Sequence, residues 1–155
     1  MIFFLMKALH ILSVVLFLGN IITGVFWKFH ADRSGDLRAR AQALDGIIAS
    51  DRWFTIPGVV LIIATGVAMA LQMGYPLLST KWIGWSLVLF GISGAAFSIF
   101  VAPLQKKLLA NTRAGIAGNW NEAEYHKLSG SWKLWGTLAT GAPVLALFLM
   151  VFKPV

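Results

Sequence analysis

The sequence predicts an all-α integral membrane protein, a single transmembrane domain over residues 1–155 built as a four-helix bundle, with an amphipathic cytoplasmic helix between helices 1 and 2. Three observations predict it. Of the 155 residues, 58% are hydrophobic and only 12% charged, whereas a soluble chain devotes about a quarter of its residues to charge. Four apolar stretches without an acidic residue, Ile2 to Trp27, Trp53 to Met73, Trp82 to Val101 and Trp132 to Phe152, reach the roughly 20 residues that a spanning helix needs. Each also has a tryptophan at one end (Trp27, Trp53, Trp82 and Trp132), as expected for amphipathic rings at the headgroup level. The composition excludes a cytosolic enzyme. The absence of cysteine excludes thiolate metal sites, iron–sulfur clusters, disulfides and cysteine nucleophiles together.

The first segment has too long an apolar run for a cleaved signal peptide and no small-x-small site after it, so it is expected to stay as helix 1. Lys28 to Arg52 follows. In it Ser34 is placed to cap a helix whose apolar residues Leu37, Ala41, Leu44 and Ile48 recur every three to four positions, which predicts an amphipathic helix at the membrane surface. Helices 2 and 3 are joined by Gly74 to Lys81, where Gly74, Pro76 and Ser79 favour a tight turn. Ala102 to Ser131, opened by Pro103 and interrupted by Gly115 and Gly118, joins helices 3 and 4. Within it Trp120 to Leu128 reads as an amphipathic surface stretch. Helix 3, with Gly84, Gly91, Ala95 and Ser98, offers a small-residue stripe for close packing.

Lysine and arginine set the expected orientation, because cytoplasmic loops carry the excess. Lys28, Arg33, Arg38, Arg40 and Arg52 fall in the first connection, and Lys106, Lys107, Arg113, Lys127 and Lys133 around the third. The opposite side has only Lys7, Lys81 and Lys153. The expectation is a bacterial inner membrane with both termini outside. The net charge of +7 then needs no nucleic acid. All six acidic residues (Asp32, Asp36, Asp45, Asp51, Glu122 and Glu124) fall on the inner side, and none is expected inside a span.

His10 is the one histidine within a spanning segment, about 12 Å along helix 1. An intramembrane ionisable group is a functional candidate by default. Lys7 precedes it on the same face, and Ser13, Val14, Phe17, Ile21 and Gly24 continue that face. A cation at the rim, an imidazole below it and an apolar wall suit a planar amphiphilic cofactor such as haem. The alternatives are a neutral His10 bonded to a hydroxyl or carbonyl of a neighbouring helix, with Ser13, Ser86 and Thr140 as partner types, and proton handling. Lys81 enters helix 3 from the same side, as a propionate partner, a nitrogen ligand or an interfacial anchor. His30 and His126 read as solvated residues. All five methionines lie in the outer half. Met6, Met69, Met73 and Met150 with His10 would make a copper site, since thioethers beside an imidazole select Cu(I), unless they serve as gap fillers.

Lys7-Ala8-Leu9-His10-Ile11, the Thr80-Lys81-Trp82 entry to helix 3 and the closing Val151-Phe152-Lys153-Pro154 resemble the four-helix bacterial protoporphyrinogen oxidases, whose superfamily includes the copper-resistance D-type membrane proteins. Asp51-Arg52-Trp53-Phe54-Thr55 and Gly74-Tyr75-Pro76-Leu77 resemble more closely an uncharacterised group of predicted integral membrane proteins within it. The resemblance implies haem b on the helix 1 histidine, matching His10, and an important helix 3 lysine, matching Lys81. The oxidases also carry a helix 3 histidine, which Gly91 to Phe97 lacks. That departure bears on the oxidase reaction more than on haem binding, and leaves iron five-coordinate or bound also by Lys81 or a methionine. The expected function is haem binding for electron transfer or porphyrin redox chemistry. A copper protein and a cofactor-free membrane scaffold are the alternatives. Expected partners are the lipid bilayer and a redox partner or porphyrin substrate; a homo-oligomer is left open.

Overall fold

Helix 1 does not stop at the membrane edge. The computed structural model describes residues 1–154, and in it α1 runs unbroken over Ile2–Ser34, because nothing from Trp27 to Arg33 breaks a helix. It ends where Gly35 adopts φ 71°, the left-handed conformation that only glycine takes without a Cβ penalty. Asp36 then caps α2 (Leu37–Ser50), its side chain accepting the Arg38 amide at 2.8 Å. The expected cap, Ser34, instead closes α1 by donating to the Ala31 carbonyl. A two-residue turn leaves room for one cap, and only Asp36 has the extended backbone that an N-cap requires.

The amphipathic helix expected between helices 1 and 2 is present as α2, but it does not lie on the membrane surface. α2 passes through a π-helical turn, Asp51–Thr55, into α3 (Ile56–Gln72), so that Leu37–Gln72 is one 36-residue rod. A rod that continues a spanning helix cannot lie flat on the bilayer. Its apolar stripe packs on another helix, with Leu44 and Ile47 buried. The third segment repeats the construction in the reverse direction. α4 (Lys81–Ala96) passes through a second π-turn, Phe97–Val101, into α5 (Ala102–Ile116). A proline follows each π-turn by two residues, Pro57 and Pro103. The wider register shifts the carbonyl that a proline ring would otherwise strike. Pro143 lies inside α6 without a π-turn, so proline accompanies the widening but does not by itself impose it.

The connection from Ala102 to Ser131 is therefore mostly helix. Only residues 117–121 turn before α6 (Glu122–Phe152). Gly118 turns at φ 97°, while a Cβ on Gly115 would lie 2.6 Å from the Trp120 ring, which folds over α5. At the other end, Gly74 at φ 72° opens the expected turn between α3 and α4.

α1 packs along α3, α4 along α6, and α2 along α5. The spanning parts form two antiparallel pairs, while α2, α5 and the adjoining ends of α1 and α6 form a second bundle at the charged end. The principal apolar core lies toward that end, around Leu44, Leu108, Leu109, Tyr125 and Trp132. Trp132 is consequently buried, 6% exposed, and is no interfacial ring: α6 begins ten residues before it. Trp27 and Trp53 keep the expected exposure. Of the expected small stripe, Gly84 packs closely, a Cβ there lying 3.1 Å from the Leu78 carbonyl oxygen, whereas Gly91, Ala95 and Ser98 are exposed and Ile83, Ser86, Ser93 and Ala96 are the buried positions of α4.

Candidate functional site

The face of α1 singled out in the sequence does turn inward. Ser13 and Phe17 are buried, and His10 is half-buried. α3 approaches this face closely at two glycines. A Cβ on Gly58 would lie 3.2 Å from Phe17 Cβ, and one on Gly66 would lie 3.1 Å from His10 Cε1. The imidazole thus rests against bare backbone, in a place that no other residue type would leave free.

His10 Nδ1 lies 3.0 Å from Thr65 Oγ1. The partner is none of the three hydroxyls expected from sequence. Ser13 donates to Leu9 O and Ser86 to Trp82 O, each satisfied within its own helix, as hydroxyls commonly are. Thr65 could have been found from its place on α3 opposite His10, but only once the α1–α3 pairing was known. Its hydroxyl has a single proton, which it donates to the Leu61 carbonyl at 2.5 Å. Toward His10 it can only accept. With that proton on the Leu61 carbonyl, the contact goes with a proton on Nδ1 of the imidazole.

Lys7 and Lys81 both lie at the terminal end and are exposed. They stand on different helix pairs, and neither joins His10 by a hydrogen bond or ion pair among the described residues. Lys153 places its Nζ 5.4 Å from the Trp82 ring centre, beside Lys81. Met6 and Met69 are half-buried, each one turn toward the terminal end from His10 and Thr65 respectively. Because α1 and α3 are antiparallel neighbours, these thioethers fall in one layer above the imidazole. Met73 lies a turn further out and is exposed; Met150 lies on α6, half-buried. The copper candidates are thus divided between the two pairs.

Two carboxylates drawn into the bundle, Asp32 half-buried and Asp51 buried, have surroundings that escaped the sequence reading. Lys28, counted there as a loop cation, is 2% exposed. Its Nζ donates to Asp32 Oδ2 at 2.7 Å and to Ser129 Oγ at 2.9 Å, with the rings of Tyr125 and Trp132 alongside. Tyr125 donates to the other Asp32 oxygen at 2.5 Å, and Arg40 donates to the Asp32 carbonyl at 2.9 Å. This cluster ties α1 to α2 and α6. It also shows that Trp120 to Leu128 is no surface stretch throughout, although His126 itself is exposed as expected.

The second is Asp51, 7% exposed. Its Oδ1 accepts from Thr55 Oγ1 at 2.7 Å and Asn20 Nδ2 at 3.3 Å, and its Oδ2 accepts from Gln105 Nε2 at 3.0 Å. Asn20 lies seven residues before Trp27 on α1, about 10 Å deeper than that ring at the helical rise. Asp51 itself stands two residues before Trp53, just outside the span expected from Trp53 to Met73. The continuous rod and its π-turn draw Asp51 in, where a loop would have left it in water.

No curated protein and no solved structure matches the chain. Residues 4–154 match the family model described as predicted integral membrane protein (DUF2269), a match over nearly the whole four-helix architecture described above, and the chain belongs to that family.

Proposed function

We propose that the protein is a haem-binding protein of the bacterial inner membrane, with both termini outside, serving electron transfer or porphyrin redox chemistry within the wider protoporphyrinogen oxidase and copper-resistance D-like group. One observation carries this reading. The Thr65 hydroxyl stands 3.0 Å from His10 Nδ1, and a proton on that nitrogen leaves Nε2 to bind, as outer-shell partners arrange for a ligating histidine. The donor set therefore fits an axial nitrogen ligand. Thr65 orients the ring and Gly66 leaves room for it, while buried Phe17 continues the apolar face of α1 two turns further on. Lys7 and Lys81 supply counter-charge for acidic substituents at the terminal end. Bound haem would contribute one-electron chemistry, tuned by its axial ligand and its apolar surroundings.

A copper protein is the second reading, supported by the layer of Met6 and Met69 beside the imidazole. An absorption spectrum with metal analysis, taken on protein purified in mild detergent, separates the readings. Haem binding gives a Soret band that His10→Ala removes, and Thr65→Val should weaken cofactor affinity by about 10- to 100-fold. Stoichiometric Cu(I), lost on Met69→Leu and without a Soret band after haem supplementation, would replace haem with copper. Neither cofactor would leave the scaffold reading. Lys81→Arg and Lys81→Gln divide its roles: a nitrogen ligand tolerates neither, a propionate partner tolerates arginine alone, and an anchor leaves haem content unchanged in both.

A further inference from the structure

We propose that Asp51 is a proton-binding site, a carboxyl within the bundle that exchanges protons with water in the groove between α1 and α2. The proposal stands apart from the cofactor reading and survives its failure.

The first support is the character of its partners. Asn20, Thr55 and Gln105 are amides and a hydroxyl, groups that both donate and accept. An ionised Asp51 receives the three hydrogen bonds observed. A protonated Asp51 needs one acceptor, which Gln105 provides by turning its amide over and Thr55 by rotating its hydroxyl. Both protonation states are thus accommodated without moving a helix. No cation holds the carboxylate in the charged form, for Asp51 makes no ion pair among the described residues.

The second support is the position of its partners, which line two cavities on either side of it. Asn20 and Ser50 line a groove of about 560 Å³ between α1 and α2, which also holds Gln42 and His30. Thr55 lines an apolar cleft of about 190 Å³ between the helix pairs, walled by Phe17, Phe90 and Phe97. Asn20 donates to Thr55 at 2.9 Å, so the Asp51 network forms the partition between groove and cleft. It also occupies a π-turn, a local widening frequently found at functional sites. The titratable groups on the surrounding elements are directed elsewhere. Lys28 on α1 is bound to Asp32, Asp45 on α2 pairs with Arg113 of α5, α3 carries none, and Arg52, Lys106 and Lys107 are exposed.

In the exchange, a hydronium ion in the groove gives up one O–H bond and becomes water, an O–H bond forms on Asp51, and no electron moves. Release is the reverse. The test uses dicyclohexylcarbodiimide, which converts a protonated carboxyl in apolar surroundings into an N-acylurea that peptide mass spectrometry locates. Applied to the full chain in micelles, it should label Asp51 several-fold more in acid than in alkaline buffer, ahead of exposed Asp36 and Glu122. Infrared difference spectra between the two buffers should lose one carboxyl band in Asp51→Asn. An unlabelled Asp51 at every pH would overturn the proposal, and so would protection by Na⁺ at fixed pH, which would mark a cation site. The wild-type labelling map decides the matter if Asp51→Asn does not fold.

Discussion

Asp32 and Asp51 are both carboxylates drawn into a helical bundle, yet their surroundings ask opposite things of them. Asp32 faces the ammonium of Lys28, the Tyr125 hydroxyl and, through its backbone, Arg40. Asp51 faces only two amides and one hydroxyl. In low dielectric a fixed cation commits its partner to charge, because removing either member strands the other. Neutral, reversible partners commit it to nothing. The first site is built as a rivet between α1, α2 and α6, and the second as a site that keeps two states within reach.

The sharpest way to break this comparison is to remove the cation. Lys28→Met should destabilise the protein by about 3 kcal/mol, the lower end for a broken buried pair because Asp32 retains some contact with water. Denaturation in detergent measures it, and Lys28→Met with Asp32→Leu should recover most of the loss, since a well-packed apolar replacement is often neutral. Equal instability of single and double variants would mean that packing against Tyr125 and Trp132, rather than charge, holds the cluster.

Asp51→Leu comes next, at about 2 kcal/mol, the cost of leaving buried donors without an acceptor. Asp51→Asn should cost under about 1 kcal/mol, because its amide oxygen still accepts and its neighbours can reorient. That gap between leucine and asparagine belongs to Asp51 alone. If asparagine proves as damaging as leucine, the network depends on a negative charge and the contrast with Asp32 disappears.

The smallest effect is expected at the charged rim, where Arg113 donates to Asp45 at 3.1 Å with both side chains largely exposed. Arg113→Gln should change stability by no more than about 0.5 kcal/mol and lose even that at high salt. A larger effect would show that the α2–α5 contact relies on charge more than on buried Leu44 and Leu108.

The spanning segments, the turn at Gly74, the inward face of α1 and the place of His10 on that face were legible in the sequence because each depends on local quantities. Transfer free energy accumulates residue by residue along a helix, and a face repeats every three to four positions. Helix length beyond the membrane was less legible. Polar, amphipathic residues from Lys28 to Arg52 look alike whether they lie on a surface or extend a rod, and the partner that α5 offers α2 is not a local quantity. The hydrogen bonds of the sites were not legible at all. Lys28 meets Ser129 across 101 residues, Asp51 meets Gln105 across 54, and His10 meets Thr65 across 55. Sequence by itself determined that the chain spans a membrane with four helices and places an imidazole within it. Tertiary structure alone decided the hydroxyl partner of that imidazole and the separate environments of Asp32 and Asp51, because a buried polar group takes its state from whichever partners packing brings within hydrogen-bond reach.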